Sequence, residues 1–196
     1  FYYDNFTSRN VPLVLIDRNI HGLDANYVSF NNYILMKNLT SRLLKDGNRE
    51  ICLVSGPERY SCEADCIQGF RDACQENGIV IEESMLVHTD MSKEDAFRRT
   101  IHLLKNNRPG TIVTTSECLA SGVIEGMTIL GYDITDIPVV ALSEEHWNNH
   151  THSFASHSMA RTVIKLGESA SQLLEKQLQS PLTKETERII LNEYHE

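Results

Sequence analysis

Four histidines, His146, His150, His152 and His157, crowd the stretch SEEHWNNHTHSFASHS, and neutral imidazole is a common ligand for transition metals. A metal site would also need fixed geometry and hydrogen-bonded supports, whereas a His-rich surface loop accounts for the same letters without either, so no metal is assigned. Cys62, Cys66 and Cys74 follow no zinc-finger spacing and fit the partly buried face of a helix. No GxGxxG, GxxxxGK[ST] or GxSxG occurs, and no nucleophile, base and orienting group can be paired. The expectation is therefore a protein that is not an enzyme and carries no cofactor. What remains is positional. Asp17, Ser55-Gly56, Thr115-Ser116-Glu117 and Ser143-Glu144 each close an apolar run. Hydroxyls and carboxylates gathered on one edge suit a small polar ligand, because every hydroxyl such a ligand buries must find a partner. The same residues could equally serve only as caps of helices and turns.

The runs that must position them read as buried strands: VPLVLID (11–17), EICLVSG (50–56), IVIEESMLVH (79–88, with an acidic interruption), TIVTT (111–115), IPVVAL (137–142) and ERIILN (187–192). A short strand beginning at Tyr27 leads into a helix with Leu35, Leu39 and Leu43 on one face, closed by Gly47. Ser61 is placed to cap a helix carrying Ile67, Phe70 and Cys74, and Ser92 one carrying Phe97, Ile101 and Leu104. After TIVTT comes a helix with Leu119, Val123, Met127 and Leu130, stopped by Gly131, whose Gly122 and Gly126 predict close packing on a neighbouring helix. The segment 143–158 has no clear period. It is followed by a helix through Val163, Leu166, Ala170, Leu173 and Leu178, ended by Pro181. Strand and helix alternate, which predicts an α/β fold with a doubly wound parallel sheet, and strand ends would share one edge where ligands bind.

Composition narrows the classes further. The 196 residues, 41% of them hydrophobic, suffice for a normal core, and no apolar run approaches the roughly 20 residues of a membrane span. A net charge of −9 argues against this segment gripping a phosphate backbone itself. The first residues lack the layout of a signal peptide, and five cysteines, an odd number set mostly inside apolar patterns, fit reduced thiols in a cytoplasm.

Several stretches, in order, resemble the effector-binding part of the LacI/GalR family of transcriptional regulators. VPLVLIDR resembles that family's iPvVliDr strand, LTSRLLKDGNREICLVSGP its helix and strand ending in Gly-Pro, and CIQGFRDACQENGI its R..Gf..al...gi helix. TIVTTSECLASGV and IKLGESASQLLEKQL resemble the two later helical segments. The resemblance spans most of residues 11–192 and implies a periplasmic-binding-protein-like fold of two doubly wound parallel-sheet subdomains. It implies residues 1–48 and 147–180 in the N-terminal subdomain, the first part of which would lie upstream, and 49–146 with 181–196 in the C-terminal one. It also implies a DNA-reading helix-turn-helix outside this chain, a homodimer acting as a repressor on operator DNA, and a sugar or sugar-phosphate effector in the cleft. The family's cleft positions fall on Asp17, Phe30, Cys66, Ser116, Glu117, Ser143 and Arg161. Cys66 stands where relatives often place an Arg, Ser116-Glu117 where they have Asn-Asp, Leu142-Ser143 where they have Phe-Asp, and Arg161 where many have Gln. With TTS after the strand, this pattern resembles the fructose-repressor branch, whose effectors are phosphorylated sugars. An extracytoplasmic sugar-binding protein of a transporter would share the fold and is the alternative.

Overall fold

The structure, a computed structural model, describes residues 6, 9, 11–144, 157–179, 186–192, 194 and 195. Within them, β1 (Val14–Ile16), β2 (Asn26–Phe30) and β8 (Arg188–Leu191) form one parallel sheet in the order β1-β2-β8. A second sheet runs β4-β3-β5-β6-β7-β9, from β3 (Ile51–Ser55), β4 (Leu86–His88), β5 (Thr111–Thr114), β6 (Val139–Glu144), β7 (His157–Arg161) and β9 (Tyr194–His195). All its pairings are parallel except β7 with β9. The expected α/β, doubly wound architecture is therefore present.

The second sheet is buried on both faces, as a continuous apolar run requires. Ile51 and Leu53 of β3 face a core shared with α1 (Asn32–Lys45) and α2 (Ser61–Glu76), where Leu35, Leu39, Ile67 and Phe70 pack. Cys52 and Val54 point the opposite way, into a core with α3 (Lys93–Asn106) and α4 (Glu117–Ile129) built around Leu103, Ile112, Val123 and Met127. The predicted close packing at Gly122 and Gly126 is observed: a Cβ on Gly122 would lie 2.3 Å from the Lys93 carbonyl oxygen, and one on Gly126 2.9 Å from that of Phe97. Gly69 brings α2 equally close to α1, 2.3 Å from the Tyr33 carbonyl by the same measure. The first sheet packs one face on α5 (Val163–Gln179) through Val28, Ala170 and Leu173.

Helix ends follow the sequence closely. Ser92 and Ser116 cap α3 and α4, each accepting a backbone N–H three residues on. Gly47, at φ +95°, lets α1 finish with paired bonds from Gly47 N–H to Leu44 O and Asn48 N–H to Leu43 O.

Four expectations are corrected. Tyr60, not Ser61, occupies the N-cap of α2, and the Ser61 hydroxyl instead accepts the Asn19 N–H at 2.8 Å. The strand expected over 79–88 is confined to Leu86–His88, because Glu82–Met85 folds into a 3-10 turn with reciprocal bonds between Glu82 and Met85. The segment without period yields β7 at its end. Strand pairing also departs from the expected boundaries: β7 joins β6 in the second sheet, β8 joins β2 in the first, and α1 packs into the second sheet's core. An apolar helix face or strand reads the same whichever sheet it will cover, so long-range partners are not encoded in the local pattern. His146, His150, His152 and Pro181 lie outside the described residues, and His157 opens β7.

Candidate functional site

Among the described residues the chain passes between the sheets three times: after Phe30 into α1, after Arg161 into α5, and after Leu191 toward β9. Asn31 Nδ2 donates to Asn192 Oδ1 at 2.9 Å, tying two of these crossings side by side. The strands' carboxyl ends open on the space beside them. In the second sheet the connections from β3 and from β5 run to opposite sides, which creates the crevice where ligands of open α/β sheets bind.

That crevice is closed at its base by a residue sequence reasoning missed. Glu63, 4% exposed, accepts the Gly56 N–H at 2.7 Å and the Thr115 hydroxyl at 2.8 Å with one carboxylate oxygen, joining the ends of β3 and β5. Its place in the first turn of α2 is where a negative charge is favoured by the helix dipole. An acidic residue in the first turn after Gly-Pro was the available signal.

Across from it, Asp17 ends β1 at φ +63°, a conformation Asp tolerates better than most residues. Its carbonyl accepts from Tyr27 Oη at 3.1 Å and Ser29 Oγ at 3.4 Å, while its carboxylate Oδ1 is buried without a partner. Asp65 of α2 feels this charge: lost hydration first, and the Asp17 carboxylate second, raise its carboxyl above the ordinary value. Burial likewise pushes the Cys62 thiol up to about 11, with Asp17 adding to it. At the rim, the Arg18 guanidinium sits 4.3 Å from the centre of the Tyr60 ring, beside the Asn19–Ser61 bond. These contacts link the first sheet's loop directly to the start of α2.

At the crossings, Arg161 lies over the Phe30 ring at 5.4 Å and donates through Nη1 to Asn32 Oδ1 at 3.3 Å. Cys66, 2% exposed, sits 4.0 Å from the Asn32 carbonyl oxygen, its thiol held neutral mainly by burial and then by Glu63. A buried neutral thiol supplies packing here and no strong hydrogen bond.

Of the sequence-derived positions, Phe30, Cys66 and Arg161 come together around Asn32, with Asp17 facing the same helix α2. Ser116 follows the Glu63-bound Thr115 and caps α4. Glu117 fills that helix's first turn, and Ser143, buried, pairs in register with Ala160. Asn32, fully buried at the start of α1, was not singled out from sequence.

Two sheets joined by three chain crossings, with polar side chains gathered at the strand ends, define a two-sheet α/β fold. Residues 6–146 match the family described as periplasmic binding proteins and sugar binding domain of LacI family. The chain belongs to that family. Among curated relatives, the HTH-type transcriptional regulator DegA of Bacillus subtilis is 26% identical over 133 residues, 68% of this chain and 40% of the relative. The HTH-type transcriptional repressor PurR of Glaesserella parasuis is 24% identical over 186 residues, 89% of this chain and 52% of its own. The chain thus spans about half the length, or less, of these relatives. In fold it is similar to a LacI family regulator of Enterococcus faecium solved with bound ribose, at TM-score 0.84 and 20% identity, covering 99% of this chain and 72% of that one. A CelR–cellobiose complex matches at TM-score 0.86 and 20% identity over 97% of this chain and 58% of that one. No helix among the described residues is long and apolar enough to cross a membrane.

Proposed function

We propose that this chain is the effector-sensing part of a LacI/GalR-family DNA-binding transcriptional regulator, taking a sugar or sugar phosphate in the cleft between its two sheets. The carrying observation is the unpartnered, buried Asp17 Oδ1 facing α2 across the cleft. An acceptor left unpaired in a protein interior costs about 1–3 kcal/mol, a debt that a hydroxyl-bearing ligand would cancel. Asp17, Phe30, Cys66, Ser116, Glu117, Ser143 and Arg161 are the proposed effector-facing set, to which Asn32 is added. The relatives named as transcriptional regulators, and one of them as a repressor, support regulation over delivery of sugar to a transporter. The neighbours solved with ribose and cellobiose support a carbohydrate effector.

The mechanism is binding without chemistry. An effector that prefers the lobes drawn together shifts the population toward that state and so alters how a cytoplasmic homodimer presents its helix-turn-helix domains to operator DNA. The Arg18–Tyr60 and Asn19–Ser61 contacts are made only when loop and helix meet, which makes them markers of closure. The test is operator release by the full-length protein. Release that rises with one sugar or sugar phosphate and is lost in Asp17→Ala supports the reading, whereas operator binding unchanged across the whole panel refutes it.

A further inference from the structure

Arg161 and Asn32 carry more than the general reading requires. Asn32 is 0% exposed, and its Oδ1 accepts from Arg161. A guanidinium can only donate, so this bond fixes which end of the amide is oxygen. The other end, Nδ2, is buried with no acceptor, and Arg161 Nε beside it is buried with none either. Two donors of adjacent side chains are thus orphaned together. The described side-chain contacts of Arg161 are with the neutral Asn32 amide and the Phe30 ring face, beside the Cys66 thiol, and Glu144 lies opposite it in the β6–β7 register. Asn32 is also the first residue of the 14-residue helix α1, whose N-terminal dipole favours negative charge at the same spot.

We infer that Arg161 Nε and Asn32 Nδ2 form an oxyanion subsite on the floor of the cleft, and that the effector is a polyhydroxylated molecule carrying a phosphate or carboxylate. This rests on the sensing reading above and assigns the acidic group to Arg161 and Asn32 rather than to Ser116 at the start of α4. The Ser116 hydroxyl already accepts the Leu119 N–H, and Glu117 brings like charge to that helix end. The polyol would extend from the subsite toward Asp17, whose free oxygen accepts from hydroxyls. The cleft is therefore polarised, with donors at the crossings and an acceptor at the end of β1.

The experiment follows thermal unfolding of the full-length protein in sodium phosphate against sodium chloride of equal ionic strength. It is followed by titration with neutral hexoses, hexose phosphates, and hexonic and hexuronic acids. Wild type, Arg161→Gln and Asn32→Asp are compared. Asn32→Asp keeps the shape and supplies Arg161 with an internal carboxylate, so it should fold and lose the anion. The expected result is stabilisation by phosphate or tight binding within one acid panel, weakened about ten- to a hundredfold by R161Q and N32D. Which panel binds tells a phosphate ester from a carboxylate. If R161Q does not fold, Arg161→Lys, which keeps the charge but not Nε–H, should give the same selective weakening. Binding of neutral hexoses alone, or acid binding unchanged in R161Q and N32D, overturns the subsite and leaves the sensing reading intact. No binding in any arm overturns both.

Discussion

The interface between α3 and α4 and the floor of the cleft are both interior, yet they treat polar atoms in opposite ways. At the helix pair, glycines let backbones touch, Thr100 turns its Cβ and methyl toward Gly126, and its buried hydroxyl donates to the Ala96 carbonyl at 2.8 Å. At the cleft, Asp17 Oδ1, Asn32 Nδ2, Arg161 Nε and Thr162 Oγ1 are all buried and unpaired, four of the five such atoms among the described residues. Interiors rarely tolerate orphaned polar groups, so their concentration at strand ends and crossings separates what holds the fold from what waits for a ligand.

That separation can be broken by substitution. The largest effect is expected at Gly122→Ala, where the new methyl meets the Lys93 carbonyl and the Ala96 side chain; stability should fall by about 3 kcal/mol in urea titration. Glu63→Ala should come next, at about 2 kcal/mol, because it strands the Gly56 N–H and the Thr115 hydroxyl in the interior. Arg161→Met combined with Asn32→Leu should go the other way and stabilise the ligand-free protein by about 1 kcal/mol, since it removes both ends of their bond together with two unpaired buried donors. A loss of more than about 2 kcal/mol there would make Arg161 a structural residue and erase the contrast.

The smallest effect is at Asp65. Its carboxyl is raised by lost hydration and by Asp17, so the native state favours the protonated acid. That contribution is complete below about pH 4, the unfolded value, and disappears as pH rises through the folded one. Asp65→Asn should therefore match wild type in acid and melt slightly higher at neutral pH. Equal melting curves at both pH values would mean that the two carboxylates do not sense each other.

Much of the fold was legible because it is local. The two-sided burial of β3 and the caps at Ser92 and Ser116 follow from neighbours in sequence. So does the approach of α4 to α3 at its two glycines. Which sheet receives β7, β8 or α1 depends on partners far along the chain, and those were misplaced. The site divides similarly. Asp17 and Ser116 could be read from strand ends, and Phe30, Cys66 and Arg161 from family resemblance, but Asn32 and Glu63 looked like ordinary first-turn polar residues. Only the bonds they make or lack, to Arg161, Gly56 and Thr115, distinguish them.

The crossings also set an order of assembly. Residues 51–144 contain β3 through β6 with three of their helices in one continuous stretch, so most of the second sheet can form as soon as it leaves the ribosome. The first sheet cannot: β2 must hold its place until Arg188–Leu191 arrives to pair with Tyr27–Phe30. β2, made well before β8, is thus completed late, and during that wait its unpaired edge is open to other chains.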